Sequence, residues 1–232
     1  MNKIIGITGL LFIVIVGLGL YVNSTKEKIA PVDASEVLEI QETDHVSGDR
    51  NSDVVIVEYL DLQCPACAAY HPIIDEVKAA NPDIAIVTRH FPLAFHRNAR
   101  AAAGAAEAAA NQGQFEQMVT KLFEGQALWS PLGAGAADDV FERYAQELGL
   151  DMDAFNSDRN SSVARAKVEA DYSGGLAAGV NSTPTFLLQG QRVQPRSAAE
   201  FQTIIDEAWS LAVDTPAQEV EEVVETVDPS GE

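Results

Sequence analysis

Two kinds of segment alternate along residues 54–211: short apolar runs rich in β-branched residues, and longer segments whose apolar positions recur every three or four residues. The short runs predict buried strands, and the longer segments predict amphipathic helices. Strands are predicted at Val54–Leu60, Ile84–Thr88, Pro184–Leu188 and, after a Gln189-Gly190-Gln191 turn, Arg192–Val193. Helices are predicted at Pro65–Asn81, Asn98–Asn111, Phe115–Phe123, Asp138–Leu148, Ser161–Ala178 and Ala198–Leu211. This order indicates an α/β fold with a helical block between its two strand-containing halves.

The hydrophobic pattern is different at the N-terminus. Ile4–Val22 is a run of 19 residues without a charge, which is long enough to cross a bilayer. Residues 1–22 therefore predict a transmembrane anchor or a signal sequence. The run is longer than a usual signal-peptide core and no clear small-x-small cleavage site follows, so an uncleaved anchor is favoured. Either segment predicts a domain outside the cytoplasm, in the periplasm or at the cell exterior.

Charge separates the central domain from its flanks. The chain has 35 acidic residues against 15 Lys and Arg, a formal net charge of −20. Residues 23–50 are polar and acidic and predict a flexible tether, and residues 213–232 predict an acidic disordered tail. A domain is expected at residues 51–212. The acidic balance argues against a nucleic-acid partner, because phosphate binding requires a basic face.

The two cysteines of the chain, Cys64 and Cys67, lie where the first strand passes into the first helix. The first N–H groups of a helix have no internal partner, and the helix dipole is positive there. We therefore expect Cys64 to be exposed and acidic and Cys67, one turn further on, to be shielded. Thiolate character is what makes a cysteine attack disulfides.

Two other interpretations of the cysteine pair remain open. A structural disulfide is one, although closing so short a loop stabilises little. Half of a zinc site is the other, but no second Cys-x-x-Cys exists and the four histidines show no ligand spacing relative to this pair. A redox-active pair is favoured, and neither a metal nor a cofactor is expected.

Glu58 lies inside the first predicted strand. A lone acid in a buried strand is costly. It is predicted either to point outward from an edge strand, or to be a carboxyl of raised pKa behind Cys67 that relays a proton to or from the thiol.

Several motifs together resemble the DsbA-type thiol–disulfide oxidoreductases. They are Asp44-His45-Val46, Val55-Ile56-Val57-Glu58-Tyr59, Cys64-Pro65-Ala66-Cys67, Arg89-His90-Phe91-Pro92-Leu93 with the alanine-rich helix after it, Gly179-Val180, and Thr183-Pro184-Thr185-Phe186. The resemblance implies a thioredoxin fold with a helical insertion, at about residues 98–178, between a βαβ half and a ββα half.

The resemblance also implies roles for individual residues. Cys64 would be the attacking thiol and Cys67 the resolving one, and Glu58 occupies the position of the family's acid. The Thr183–Pro184 bond would be cis, placing the backbone of Thr183 beside the Cys64 sulfur, where a substrate peptide can add as a strand. Pro65 and Ala66 complete this substrate-binding region. They carry no charge and no donor side chain, unlike the histidine found between the cysteines of strong oxidants in the family.

The expected function is the introduction of disulfides into exported proteins by exchange through Cys64–Cys67. The partners implied are unfolded, cysteine-containing exported polypeptides and a membrane quinone-linked thiol oxidase, either DsbB-like or vitamin K epoxide reductase-like, and we expect a monomer. The alternatives are a disulfide reductase or isomerase kept reduced by a membrane partner, and a tethered, non-catalytic binding or chaperone module.

Overall fold

The computed structural model of the protein describes residues 39–214. A five-stranded sheet forms its centre. The strands are β1 (His45–Gly48), β2 (Val55–Leu60), β3 (Ala85–His90), β4 (Thr185–Leu188) and β5 (Gln191–Val193).

Within residues 39–214, helices occur at three places along the chain. One long helix connects β2 to β3, six helices lie between β3 and β4, and one helix follows β5. In chain order they are α1 (Pro65–Ala80), α2 (Ala99–Ala110), α3 (Phe115–Glu124), α4 (Gln126–Trp129), α5 (Ala134–Glu147), α6 (Met152–Asp158), α7 (Ser162–Ala177) and α8 (Ala198–Asp214). This is the predicted α/β architecture with a helical insertion between a βαβ half and a ββα half.

The strand order in the sheet is β1-β3-β2-β4-β5. The central strand β2 pairs in parallel with β3, which is possible because α1 provides the crossover between them. On its other side β2 pairs antiparallel with β4, with Glu58 opposite Phe186. The remaining pairs, β1 with β3 and β4 with β5, are antiparallel.

One hydrophobic cluster joins a face of the sheet to α1 and α8. Its members alternate along the strands and recur at helical spacing along the helices, as burial of one sheet face requires. They include Ile56, Ile86 and Phe186 from the sheet, Ile74 and Val77 from α1, and Phe201 and Ile205 from α8.

A second cluster fills the helical insertion and extends to the cysteines. The buried face of α2 consists of alanines together with Gly104 and Glu107, and the small side chains allow neighbouring helices to approach closely. Larger side chains surround it, among them Met118, Leu122, Trp129, Phe141 and Phe155. Cys64 and Cys67 belong to this cluster, so the active-site turn packs against the insertion.

The tether predicted for residues 23–50 is wrong for its last part. Residues 45–48 form β1, and the Arg89 side chain donates to Asp44 Oδ2 at 2.6 Å and to the Glu39 carbonyl at 2.8 Å. A four-residue edge strand held mainly by backbone hydrogen bonds has little hydrophobic pattern, which is why the sequence did not predict it. The short helices α4 and α6 were not predicted for the same reason.

The predicted N-terminal anchor or signal at 1–22 and residues 23–38 of the tether lie outside the described residues. Of the acidic tail predicted at 213–232, only the first two residues are described, and they extend α8 to Asp214. Among residues 39–214, no helix has the length and apolar character needed to cross a membrane.

Candidate active site

Cys64 is the residue that caps the N-terminus of α1. Its backbone is extended (φ −77°, ψ 121°), its carbonyl accepts from the N–H of Ala68 at 3.1 Å, and Pro65 begins the helix. Pro is favoured in the first helical turn because its missing N–H would have no partner there. The Cys64 side chain makes no capping hydrogen bond to this helix end. The Cys64 sulfur therefore lies at the positive end of the helix dipole.

The thiol of Cys64 is acidic. Its pKa is lowered to about 5, first by a hydrogen bond from the Cys67 thiol, and also by the Thr183 side chain and the N–H groups of Cys67 and Ala66, which together outweigh burial. The direction agrees with the sequence prediction. The predicted exposure is wrong in degree, because Cys64 is only 7% exposed, against 1% for Cys67. Pro65 and Ala66, by contrast, are exposed and form the outer rim of the turn.

Cys67 has the opposite character. Burial, followed by the hydrogen bond to Cys64, raises the pKa of its thiol well above the ordinary value. The N–H of Asp61 donates to its sulfur at 3.5 Å. At neutral pH the pair thus holds one thiolate, on Cys64, and one thiol, on Cys67.

Glu58 lies in the central strand β2, so the edge-strand interpretation is wrong. It is 5% exposed and points to the same sheet face as Ile56, the face covered by α1. Burial raises the pKa of its carboxyl to about 7; Lys78 opposes this shift, and Glu116 adds to it. The charge of Glu58 in turn raises the pKa of Cys67. The charge of Glu58 thus acts on the resolving cysteine, and the proton relay of the second interpretation stays a prediction.

The loop before β4 brings Thr183 and Pro184 to the cysteines. The Thr183–Pro184 bond is cis, and the Thr183 carbonyl accepts from the Cys64 thiol at 3.4 Å. The Thr183 hydroxyl is buried and has no hydrogen-bond partner among the residues that the structure describes. It is therefore free to donate to Cys64 once that sulfur is a thiolate.

Arg192 on β5 holds this loop in place. Its guanidinium donates to the hydroxyls of Ser182 at 2.9 Å and Thr185 at 2.7 Å, and the Thr185 hydroxyl donates to the Ser182 carbonyl at 2.8 Å. These hydrogen bonds therefore hold Ser182 and Thr185, the residues that flank Thr183 and Pro184 in the chain.

Sequence reasoning missed a polar support beneath the cysteine turn. Gln126 of α4 donates to the carbonyls of Leu62 at 2.8 Å and Cys64 at 3.1 Å. Asp61 accepts from the N–H of Gln63 at 2.7 Å and from His96 Nδ1 at 2.7 Å. Asp61 could have been predicted as a site residue, because an acid that directly follows a buried strand is visible in the sequence. Gln126 lies 62 residues from Cys64, and no sequence pattern connects it to the cysteines.

The profile of the family described as thioredoxin matches residues 40–207, more than half of the chain. This chain belongs to the thioredoxin family. The match includes every site residue named above, from Glu58 to Arg192.

Several solved structures share the fold of this chain. Wolbachia pipientis α-DsbA1 aligns with a TM-score of 0.69 at 21% identity, over 78% of this chain and 98% of that one. A thioredoxin-like oxidoreductase from Silicibacter pomeroyi aligns with a TM-score of 0.64 at 25% identity, over 75% and 97%. Pseudomonas aeruginosa DsbA2 aligns with a TM-score of 0.60 at 23% identity, over 77% of this chain and 100% of that one. These alignments confirm the predicted fold class.

Curated relatives of this thioredoxin-family chain carry a different name. This chain is 36% identical over 173 residues to the Na(+)/H(+) antiporter NhaA of Herminiimonas arsenicoxydans, covering 72% of this chain and 26% of the antiporter. This chain is 37% identical over 150 residues to the Na(+)/H(+) antiporter NhaA 3 of Salinispora tropica, covering 64% of this chain and 22% of the antiporter. The chain thus spans about a quarter of the length of these relatives. Alignments of this size overlap residues 40–207, so the shared segment includes thioredoxin-family sequence.

Proposed function

We propose that this protein is a thiol–disulfide oxidoreductase that introduces disulfides into other polypeptides by exchange through Cys64 and Cys67. The observation that carries the proposal is the divergence of two neighbouring thiols: the pKa of Cys64 is lowered to about 5 and that of Cys67 is raised. A stable thiolate stabilises the reduced pair, so the disulfide form is driven to give up its bond.

The first step consumes the Cys64–Cys67 disulfide. A substrate thiolate attacks Cys64 Sγ, a mixed disulfide forms, and the bond to Cys67 breaks. Cys67 leaves as a thiolate and takes up a proton, because its buried sulfur has a high pKa. Glu58, whose carboxyl has a pKa of about 7, supports this transfer as the proton donor behind Cys67.

The second step releases the oxidised substrate. A second substrate thiolate attacks the substrate sulfur of the mixed disulfide, and Cys64 leaves as a thiolate. A sulfur of low pKa is the better leaving group. Two electrons have then passed from two substrate thiols to the Cys64–Cys67 pair.

The main chain at Thr183 supports substrate alignment. Its carbonyl lies 3.4 Å from Cys64 Sγ, and an extended peptide can pair with such a segment as an added strand. The proposed substrates are unfolded, cysteine-containing exported polypeptides. The proposed acceptor of the two electrons is a membrane quinone-linked thiol oxidase, as in the circuit of the family that the sequence resembles.

One observation favours a second function within the same chemistry. Pro65 and Ala66 provide no charged or donor side chain between the cysteines, so Cys64 depends on backbone groups, Cys67 and Thr183. A weaker oxidant kept reduced by a membrane partner would act as a reductase or isomerase. The acidic Cys64 counts against a non-catalytic module, for which an ordinary thiol pKa would suffice.

Two parallel assays test the proposal. The oxidised chain is mixed with a reduced two-cysteine peptide, and the reduced chain is mixed with insulin. We expect rapid peptide oxidation and slow insulin reduction, with both lost in Cys64→Ser. Efficient insulin reduction without peptide oxidation would assign the reductase function, and failure in both assays would assign the non-catalytic module.

A further inference from the structure

The structure assigns a second site to this chain: a divalent transition-metal site formed by His45, His90 and Glu107, of the kind that binds Zn²⁺. These residues come from β1, β3 and α2. One imidazole nitrogen from each histidine and one carboxylate oxygen from Glu107 all lie within 4.8 Å of one another. Two imidazoles with one carboxylate form a donor set that suits zinc.

The three groups already converge on one point. Glu107 Oε1 lies 2.7 Å from His45 Nε2 and 2.8 Å from His90 Nε2. Ligand atoms around a tetrahedral zinc lie roughly 3.3 Å apart, given bond lengths of about 2.0–2.1 Å. The cluster would therefore open by only about 0.5 Å along each N···O contact to admit the ion. An imidazole that binds the ion through Nε2 carries its proton on Nδ1.

Packing fixes the orientation of both rings. Phe115 stacks on His45 with the ring centroids 3.5 Å apart and an angle of 13°, and it meets His90 edge-on at 6.0 Å. The His90 side chain is 1% exposed, whereas those of His45 and Glu107 are 17% and 11% exposed. The cluster is thus closed at His90 and partly open at His45 and Glu107, which both line a cavity.

The open side faces a cavity of about 550 Å³. Glu42 also lines it and adds negative charge that attracts a cation, whereas the Glu116 carboxylate in the lining is paired with Lys78 at 2.8 Å. The lysine of the cavity, Lys167, is paired with Asp171 at 2.6 Å and with Asp44 at 3.4 Å, so its charge is compensated locally. Three protein ligands and an accessible fourth position, filled by water or by a group in the cavity, describe a four-coordinate zinc site.

The site is separate from the thiol chemistry. Neither Cys64 nor Cys67 lines the cavity. A bound ion would connect the edge strand β1 to β3 and to the helical insertion. No ligand spacing was visible in the sequence because each ligand comes from a different element.

The test uses the full chain with Cys64→Ser and Cys67→Ser, so that thiolates cannot bind the ion. Metal-free protein is titrated with Zn²⁺ against a chelating competitor, and Co²⁺ is used as a spectroscopic probe. We expect one Zn²⁺ per chain, and tetrahedral Co²⁺ bands without a thiolate-to-cobalt charge-transfer band. In this background, His45→Gln and Glu107→Gln should each weaken Zn²⁺ binding by at least about 100-fold, more than the loss of an outer-shell partner usually does.

His71→Gln is the matched control, because His71 lies 3.4 Å from a single carboxylate, that of Asp75, and outside the cluster. Glu107→Gln keeps an oxygen that can accept from both imidazoles, and His45 is partly exposed, so circular dichroism should show that at least one variant remains folded. Absence of stoichiometric Zn²⁺ binding would overturn the assignment. So would binding that both substitutions leave unchanged, or that His71→Gln weakens equally.

Discussion

The chemistry at the level of single residues depends on one hydrogen bond between the two sulfurs. The Cys67 thiol donates to Cys64, which lowers the pKa of the acceptor and raises the pKa of the donor. Burial raises both values. Three further groups donate to Cys64, whereas the N–H of Asp61 donates to the Cys67 sulfur. The difference between two chemically identical side chains therefore comes from the helix start and from Thr183.

Replacing Thr183 with valine tests the contribution of its hydroxyl. Valine keeps the shape but removes the one side-chain donor outside the Cys-x-x-Cys turn that lowers the Cys64 pKa. A hydrogen bond to a charged group contributes about 1.5–3 kcal/mol, so the pKa of Cys64 should rise by about 1–2 units. Thiolate absorbance between pH 3 and 9 measures it. Thr203→Val, at an exposed hydroxyl on α8, is the control and should leave the pKa of Cys64 near 5. A Thr183→Val protein whose Cys64 also titrates near 5 would show that the Thr183 hydroxyl plays no part.

Glu58 predicts a pH dependence of stability. Burial raises its pKa from 4.5 to about 7, so between these values the folded chain holds a proton that the unfolded chain has released. The free energy of unfolding therefore falls as the pH rises from about 4.5 through 7. Glu58→Gln removes this cost and should be more stable than the parent by up to about 3 kcal/mol at pH 8.

The measurement for Glu58→Gln is urea unfolding at pH 5 and at pH 8. The gain in stability should be small at pH 5 and large at pH 8. Glu169→Gln, which removes an exposed carboxylate paired with Arg100, should show no such difference. A Glu58→Gln protein that is less stable than the parent at pH 8 would contradict a buried, uncompensated carboxyl.

At the scale of elements, what could be predicted from sequence depended on whether an element carries its own pattern. α1, α2 and β2 do, because a long amphipathic or a fully buried segment shows its periodicity locally. β1 and α4 do not, since they are short and their positions are set by partners far along the chain. The site divides in the same way: the cysteines and Glu58 had local signals, Thr183 and Pro184 came from the family resemblance, and Gln126 had neither.

The alanine-rich helix α2 makes a prediction about close packing. A Cβ added to Gly104 would lie 2.4 Å from the carbonyl oxygen of Arg159, a backbone atom that cannot move aside easily. Gly104→Ala should therefore destabilise the protein by roughly 1–3 kcal/mol. Gly135→Ala, in α5, has no atom within 4 Å of the new Cβ and should stabilise by about 0.5–1 kcal/mol. Chemical denaturation compares the two, and a shift of the same sign in both would contradict this account of the packing.

At the scale of the whole molecule, the thiol pair lies where all the parts meet. The helix start that holds Cys64 belongs to the βαβ half, Thr183 precedes the ββα half, and Gln126 supports the turn from the insertion. Glu58 lies in the central strand beneath them. The tendency of the disulfide to be reduced is therefore a property of the folded chain as a whole, and a short peptide with the same four residues would not reproduce it.

The equilibrium potential of the Cys64–Cys67 couple tests the central claim most directly. The full chain is equilibrated at pH 7 with mixtures of reduced and oxidised glutathione, and the fraction with the disulfide is measured. A Cys64 thiolate stabilised by its surroundings predicts a potential more positive than about −150 mV, that of a disulfide donor. A potential near −270 mV, that of a reductant, would contradict it.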